Sequence, residues 1–413
     1  MNHATAAPVL ENERAEILDI LRGFALLGIF IAHVPGLAGW DYLAPTEHAA
    51  VDLASDSTLQ FLREMWIRSK FYSLFSLLFG FGFSIQYASA RRRGTGFSAQ
   101  FRRRQFGLLA LGVLHSAFWH GDILLTYALL GLALIPFASW EPRRIFRWAL
   151  GALAMRAAWG LLMWSLAGAL GTLAGPAVGD GAGSIDVNTR VREVMAGYYS
   201  SDWTELLLSN ARFLRWKWGL VLYQGKLFSI AGFFLLGVAL GKWRVHERIA
   251  ELEPELRRVV LLFGSFGVAG NFVLAALWAR VETFPPSALG AITNLLYAAA
   301  VPALAIAIAA GIALLWIRGT GRTLLSAFAA PGRMALTTYL SQTAIGLGLF
   351  YGVGLGLRGT FSLTGCIATA LVVFALQMVV ADWWLKSFQY GPIEWLWRCF
   401  TYRRALPILR SRP

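Results

Sequence analysis

Charge is scarce in this chain. Asp, Glu, Lys and Arg make up 15% of its 413 residues and hydrophobic residues 57%, whereas soluble domains carry about 25% charged residues. An ordinary soluble fold is therefore excluded. Cysteine is nearly absent: Cys366 and Cys399 stand far apart, which rules out a disulfide framework or a cysteine-based metal site. Acidic residues are the rarer sign, 23 against 37 Lys and Arg, for a net charge of +14. The basic residues fall between apolar segments, the pattern of the positive-inside effect, so no nucleic-acid partner is expected. Two motifs are also missing. Without GxxxxGK[ST] there is no phosphate loop, and without HExxH no zinc pair, so no metal is expected. The first apolar stretch, 17–34, has neither a basic leader nor a clean small-residue cleavage site. It is expected to be a retained membrane helix.

What the sequence does have is long apolar runs. A spanning helix needs about 20 mostly apolar residues. Ten segments qualify as candidates: 17–36, 70–89, 105–120, 122–140, 148–174, 218–241, 259–279, 290–316, 334–356 and 361–385. The expected fold is all-α: a polytopic helical bundle forming one transmembrane domain over 1–413. With the amino terminus inside, 25 Lys and Arg fall on the inner side and 10 on the outer. Both termini are then cytoplasmic, in a bacterial inner membrane. Two outer loops are long, 37–69 and 175–217. The second becomes amphipathic and rich in Tyr and Trp (VREVMAGYYSSDWTELLLSNARFLRWKW), which predicts a helix lying at the interface.

Polar groups inside such spans usually face the bundle interior. In ILDILRGFALLGIFIAHVPG, Asp19 and Arg22 are three apart and share a helix face. His33 stands about 21 Å further along, near the outer boundary. LLALGVLHSAFWHGDILLTYALLGL places a helical hairpin turn at His120 to Asp122, with His115 about 7 Å below it. His33, His115 and Asp122 thus share one depth and are the candidate catalytic groups. A neutral imidazole accepts a proton from an attacking amine or hydroxyl, and a carboxylate orients it. Asp122 also suits the start of the next helix as an N-cap, and His120 suits a structural interfacial role.

At the inner face, Arg91, Arg92 and Arg93, with Arg102, Arg103 and Arg104, flank GTGFSAQF. With Arg22 they are candidates to hold the phosphates of a donor; as topological anchors they would instead meet lipid headgroups. Lys226, eight residues into the span 218–241, and Arg333, at an inner helix start in PGRMALTTYLSQT, are candidate supporting residues with Asp19. Glu394 and Arg398 are spaced for a helical ion pair.

These stretches resemble the YeiB family, domain of unknown function 418. The resemblance rests on LDILRGFALLGIFIAHV, where family members usually carry Asn in place of His33, and on KFYSLFSLLFGFGFSIQ. It continues in RRRQFGLLALGVLHSAFWHGDILLTYALLGL, PGRMALTTYLSQT, LFYGVGLGL and FQYGPIEWLWR, in the family's order. Such proteins are grouped with membrane acyltransferases, including heparan-alpha-glucosaminide N-acetyltransferase and the acyltransferase-3 group. The resemblance implies transfer of an acetyl or other acyl group from cytoplasmic acyl-CoA, acetyl-CoA for example, to a sugar, lipid or amine at the outer side. Membrane lipids and a second copy of the chain are further expected partners. The competing expectation is a transporter of small molecules or lipids without acyl chemistry.

Overall fold

The computed structural model describes residues 16–174, 187–277 and 288–410, and among them no β-strand is formed. The predicted outer segment 175–186 lies outside the described residues. Seventeen α-helices are present among the described residues, beginning with α1 (Glu16–Leu37), the short α2 (Pro45–Val51) and α3 (Asp56–Leu62), α4 (Lys70–Arg92) and α5 (Phe97–Phe118). They continue through α6 (Leu124–Ala133), α7 (Pro142–Ala174), α8 (Val187–Val194), α9 (Trp203–Tyr223), α10 (Lys226–Lys242) and α11 (Glu253–Leu277). The remainder are α12 (Ala288–Ile317), α13 (Arg322–Ser326), α14 (Ala329–Arg333), α15 (Ala335–Phe350), α16 (Leu363–Ser387) and α17 (Pro392–Tyr402).

Six spans among the described residues are long and apolar enough to cross a membrane, seven if the bent pair α9–α10 is counted as one. Large apolar side chains stand outward on several of them: Leu262 on α11 is 70% exposed and Val379 on α16 69%. Water would penalise such continuous apolar faces, and lipid does not. These helices mark a membrane protein. Two predicted spans are shorter than expected. The segment 122–140 is helical only to Ala133 before a 3₁₀ turn at Ile135–Ser139 that contains Pro136; proline cannot continue the backbone ladder. The segment 334–356 leaves its helix at Phe350, and Tyr351 is extended.

Close helix packing is set by glycine. A side chain at Gly80 of α4 would strike the Phe234 carbonyl of α10, and one at Gly237 of α10 would strike the Leu77 carbonyl of α4. The two backbones touch through these reciprocal gaps. The same device seats α14 on α1, where Gly23 faces Phe328 and Gly332 faces the Asp19 carbonyl. Carboxylates then fix two further helix starts. Asp56 accepts from the Leu363 and Thr364 amides at 3.0 and 2.9 Å at the head of α16. Glu394 on α17 accepts from Leu336 N at 2.5 Å and Thr337 N at 3.0 Å, with its other oxygen 2.5 Å from Thr337 Oγ1, at the head of α15. Glu394 therefore caps the head of α15. Burial outweighs these hydrogen bonds and raises its carboxyl above the ordinary value.

Candidate functional site

The turn between α5 and α6 assembles the site's centre. Trp119 to Ile123 reverse the chain too tightly for the backbone amides at the head of α6 to find helical partners. Asp122 takes them instead: Oδ1 accepts from Leu124 N at 3.1 Å and Oδ2 from Leu125 N at 2.8 Å. The same Oδ1 lies 2.7 Å from His115 Nδ1. The capping role and the orienting role expected of Asp122 thus coexist in one carboxylate. On the far side of the ring, His115 Nε2 lies 2.9 Å from Thr343 Oγ1 of α15. An acceptor-only carboxylate fixes the tautomer. In the neutral ring Nδ1 then carries the hydrogen, and Nε2 accepts from the Thr343 hydroxyl. His115, Asp122 and Thr343 are all buried.

Tyr339, one turn before Thr343, packs its ring 5.1 Å from that of His115. His33 approaches from α1: its ring lies 6.4 Å from Tyr339 and 6.2 Å from Trp119. His33, His115 and Asp122 are therefore brought to one place, as their common depth predicts. His33 makes no hydrogen bond among the described residues and is only half-buried.

Helix α9 closes this end of the bundle. The segment predicted as an interfacial helix is helical over α8 and α9, and the inner face of α9 enters the site. Lys217 Nζ donates to the Asp122 carbonyl at 2.6 Å, and Asn210 Nδ2 donates to the Ser116 carbonyl. Asn210 Oδ1 also accepts from Tyr198 Oη at 2.8 Å. Tyr198 and Tyr42 bracket His120, with hydroxyls 3.1 Å from its Nδ1 and 3.2 Å from its Nε2. Burial, then Lys217 and Arg358, hold His120 well below the usual histidine range. It is a neutral structural group, as its position in the turn suggests.

Beneath the His115–Asp122 pair runs a central cavity of about 230 Å³. One end reaches Ile123 and Tyr339; the other reaches Asp19, Arg22, Arg104, Arg333 and Arg398. Asp19 and Arg22 pair as their spacing predicts. The Arg104 guanidinium stacks 3.6 Å over Trp397, and that of Arg398 4.6 Å over Tyr390. From Arg22 to His33, α1 rises about 16 Å. A second cavity, about 470 Å³, meets the site from the side, where Leu114, Phe118, Leu340 and Leu347 lead to His115 and Thr343.

Not all candidates join. Of the two arginine triplets only Arg104 lines the central cavity. Arg91, Arg92 and Arg102 are exposed, and Arg103 Nε donates to the Thr401 carbonyl at 3.1 Å. The cause is helical rotation: consecutive residues point about 100° apart, so a triplet cannot face one pocket. Arg93 likewise is not among the residues lining the cavity. Lys226 is not eight residues into a span. The helix breaks at Gln224 and Gly225, and Lys226 begins α10 in a separate cavity. Among the described residues no group of three or more His, Cys, Asp and Glu is placed to hold a metal ion.

The sequence reading missed Tyr339, Thr343, Lys217 and Arg398. A signal did exist for the first two. TTYLSQT is a dense polar run inside an apolar helix, and polar side chains in spans turn inward.

Residues 240–404 match the family described as "Protein of unknown function (DUF418)". The chain is 30% identical to the "Uncharacterized protein YxaH" of Bacillus subtilis over 423 residues, covering 98% of each. It is 27% identical to the "Uncharacterized 39.9 kDa protein in amylase 3'region" of Bacillus acidopullulyticus, over 98% of this chain and 99% of that one. It is also 27% identical to the "Uncharacterized protein YeiB" of Escherichia coli, over 96% of this chain and 98% of that one. No solved structure matches the chain.

Proposed function

The chain belongs to the DUF418 (YeiB) family, and from that premise we propose that it is a membrane-embedded acyltransferase. In this reading ten helices cross a bacterial inner membrane, α6 and α15 being short spans. Both termini and the arginine end of the central cavity are cytoplasmic, and the histidine end faces outward. The 25 to 10 division of Lys and Arg supports this orientation.

One observation carries the proposal: a single cavity joins a mouth of four arginines to the ring that contacts His115. An acyl-CoA has that shape of chemistry. Its phosphates suit guanidinium groups, and its uncharged pantetheine arm suits the walls of Leu26, Ile29, Leu78 and Leu336. A cavity of this volume holds the arm and leaves the nucleotide at the mouth.

The reaction then follows from the tautomer. The acceptor hydroxyl or amine takes the place of the Thr343 hydroxyl at His115 Nε2. It attacks the thioester carbon while Nε2 takes its proton, and Asp122 stabilises the resulting imidazolium. The carbon–sulfur bond breaks, the acyl group stays on the acceptor oxygen or nitrogen, and the thiolate recovers the proton from Nε2 as free CoA thiol. The apolar side cavity suits an acceptor that arrives from the bilayer.

Purified protein incubated with labelled acetyl-CoA and a membrane extract tests this. Acceptor-dependent release of CoA, lost in His115→Ala, is expected; full release by that variant rejects the mechanism. A transporter reading has one observation in its favour, the 68° bend between α9 and α10, since broken helices frame many transport sites. Solute flux in liposomes without CoA release would select it.

A further inference from the structure

A third cavity, about 260 Å³, lies apart from the site above and shares no lining residue with it. Four basic side chains border it: Arg68, Lys70, Arg156 and Lys226. Among the described residues one carboxylate, Glu64, faces them, and it is already engaged 2.9 Å from Arg68 and 3.8 Å from Arg63. Lys70 Nζ donates to the Glu64 carbonyl at 2.6 Å, which satisfies a donor but neutralises no charge.

Arg156 is the decisive group. It is 95% buried by its 5% relative exposure. Its guanidinium stacks 4.3 Å over the Tyr297 ring, and Nη2 reaches Asn294 Oδ1 at 3.2 Å. Nε and Nη1 are buried with no hydrogen-bond partner among the described residues. A buried guanidinium with open donors is costly, and an anion would satisfy both at once in bidentate fashion. The helices point the same way. The 23-residue α4 begins at Lys70 and the 17-residue α10 at Lys226, both on the cavity wall. Neither start has a side-chain cap, since each follows a left-handed residue, Ser69 at φ 70° and Gly225 at φ 62°. Uncapped amides and the helix dipole add to the positive potential. Apolar side chains, Met163, Trp164 and Leu274, complete the lining.

We propose that this cavity binds a phosphate-bearing ligand, its phosphate held by Arg156 and Lys226 and its apolar part lying against Trp164 and Leu274. Several basic groups converge where a singly charged carboxylate would leave an excess of positive charge, and a phosphate matches them better.

The test uses the full chain in neutral detergent and three probes: inorganic phosphate, dioctanoyl phosphatidic acid and uncharged dioctanoylglycerol. Affinity is read by native mass spectrometry or calorimetry. Phosphatidic acid is expected to bind at least about tenfold more tightly than dioctanoylglycerol, and Arg156→Gln to weaken it roughly tenfold, the loss of one charge-assisted contact. Binding of inorganic phosphate as well identifies a soluble phosphate compound as the source; binding of the lipid alone identifies a headgroup. Lys226→Gln, at the half-buried wall, carries the same test if Arg156→Gln does not fold, and Arg156→Lys should restore part of the affinity. Equal affinity for the charged and uncharged lipids without phosphate binding, or wild-type affinity in folded Arg156→Gln or Lys226→Gln, overturns the proposal.

Discussion

His115 Nδ1 and Asp122 Oδ1, seven residues apart in sequence, lie 2.7 Å apart at the hairpin turn, and that oxygen also accepts the Leu124 amide at 3.1 Å. The backbone therefore holds the carboxylate that holds the imidazole. Asp122→Asn keeps the size of the group but lets the amide nitrogen face the ring, which disfavours the Nδ1–H tautomer. Acyl transfer is expected to fall on the order of a hundredfold or more in kcat, with little change in KM for acyl-CoA. His115→Ala should do at least as much. Steady-state kinetics check both, and unchanged kcat in either contradicts the assigned roles.

The arginines separate by rotation about their helices. Arg398→Gln and Arg104→Gln, both at the mouth of the central cavity, are expected to raise KM for acyl-CoA about tenfold each, one charge-assisted contact apiece. Arg91→Gln, Arg92→Gln and Arg102→Gln remove exposed groups and should leave KM unchanged. The comparison is internal: the same charge is removed each time, so a general electrostatic effect would move all five alike.

Glu394 ties the surface helix α17 to the head of α15, the helix that supplies Tyr339 and Thr343. Glu394→Ala leaves the Leu336 and Thr337 amides without their acceptor and is expected to cost about 1–3 kcal/mol. Glu394→Gln keeps a carbonyl oxygen for those amides and should cost far less. Thermal unfolding in detergent measures both, and equal losses would show that capping is not what Glu394 does.

His120 gives the fold a dependence on pH. Its folded value is held well below 6.5 by burial, with Lys217 and Arg358 adding to it. The unfolded chain therefore binds this proton before the folded one does. The stability it contributes is complete above pH 6.5 and is lost progressively as pH falls below it. The melting temperature should fall as pH drops below about 6.5, and His120→Gln should flatten that slope while lowering stability throughout. A wild-type slope retained in the variant would assign the effect to another group.

Much of this was legible in the sequence where the signal is local. The apolar run 17–36 becomes Glu16–Leu37 almost residue for residue, because length and composition alone decide a helix in lipid. Asp19 with Arg22, and His115 with Asp122, were legible because each pair lies within a few residues. Tyr339 and Thr343 were not, since Thr343 is 228 residues from His115 and no periodicity says which helix faces which. The side toward which Arg104 turns, away from Arg102, depends on the packing of α17 against α5. The break before Lys226 was signalled by Gly225, but a lone glycine is common inside membrane helices and reads equally well as close packing.

The central claim is that one cavity runs from the arginine mouth to Tyr339, against the His115 ring, and that a thioester can cross it. A structure of the full chain with a non-hydrolysable acetyl-CoA analogue tests this most directly. The account predicts the nucleotide at Arg22, Arg104 and Arg398, the pantetheine arm between Ile29 and Leu336, and the acyl group beside Tyr339 within reach of His115. An analogue bound elsewhere, with the cavity between Arg398 and Tyr339 empty, would contradict it.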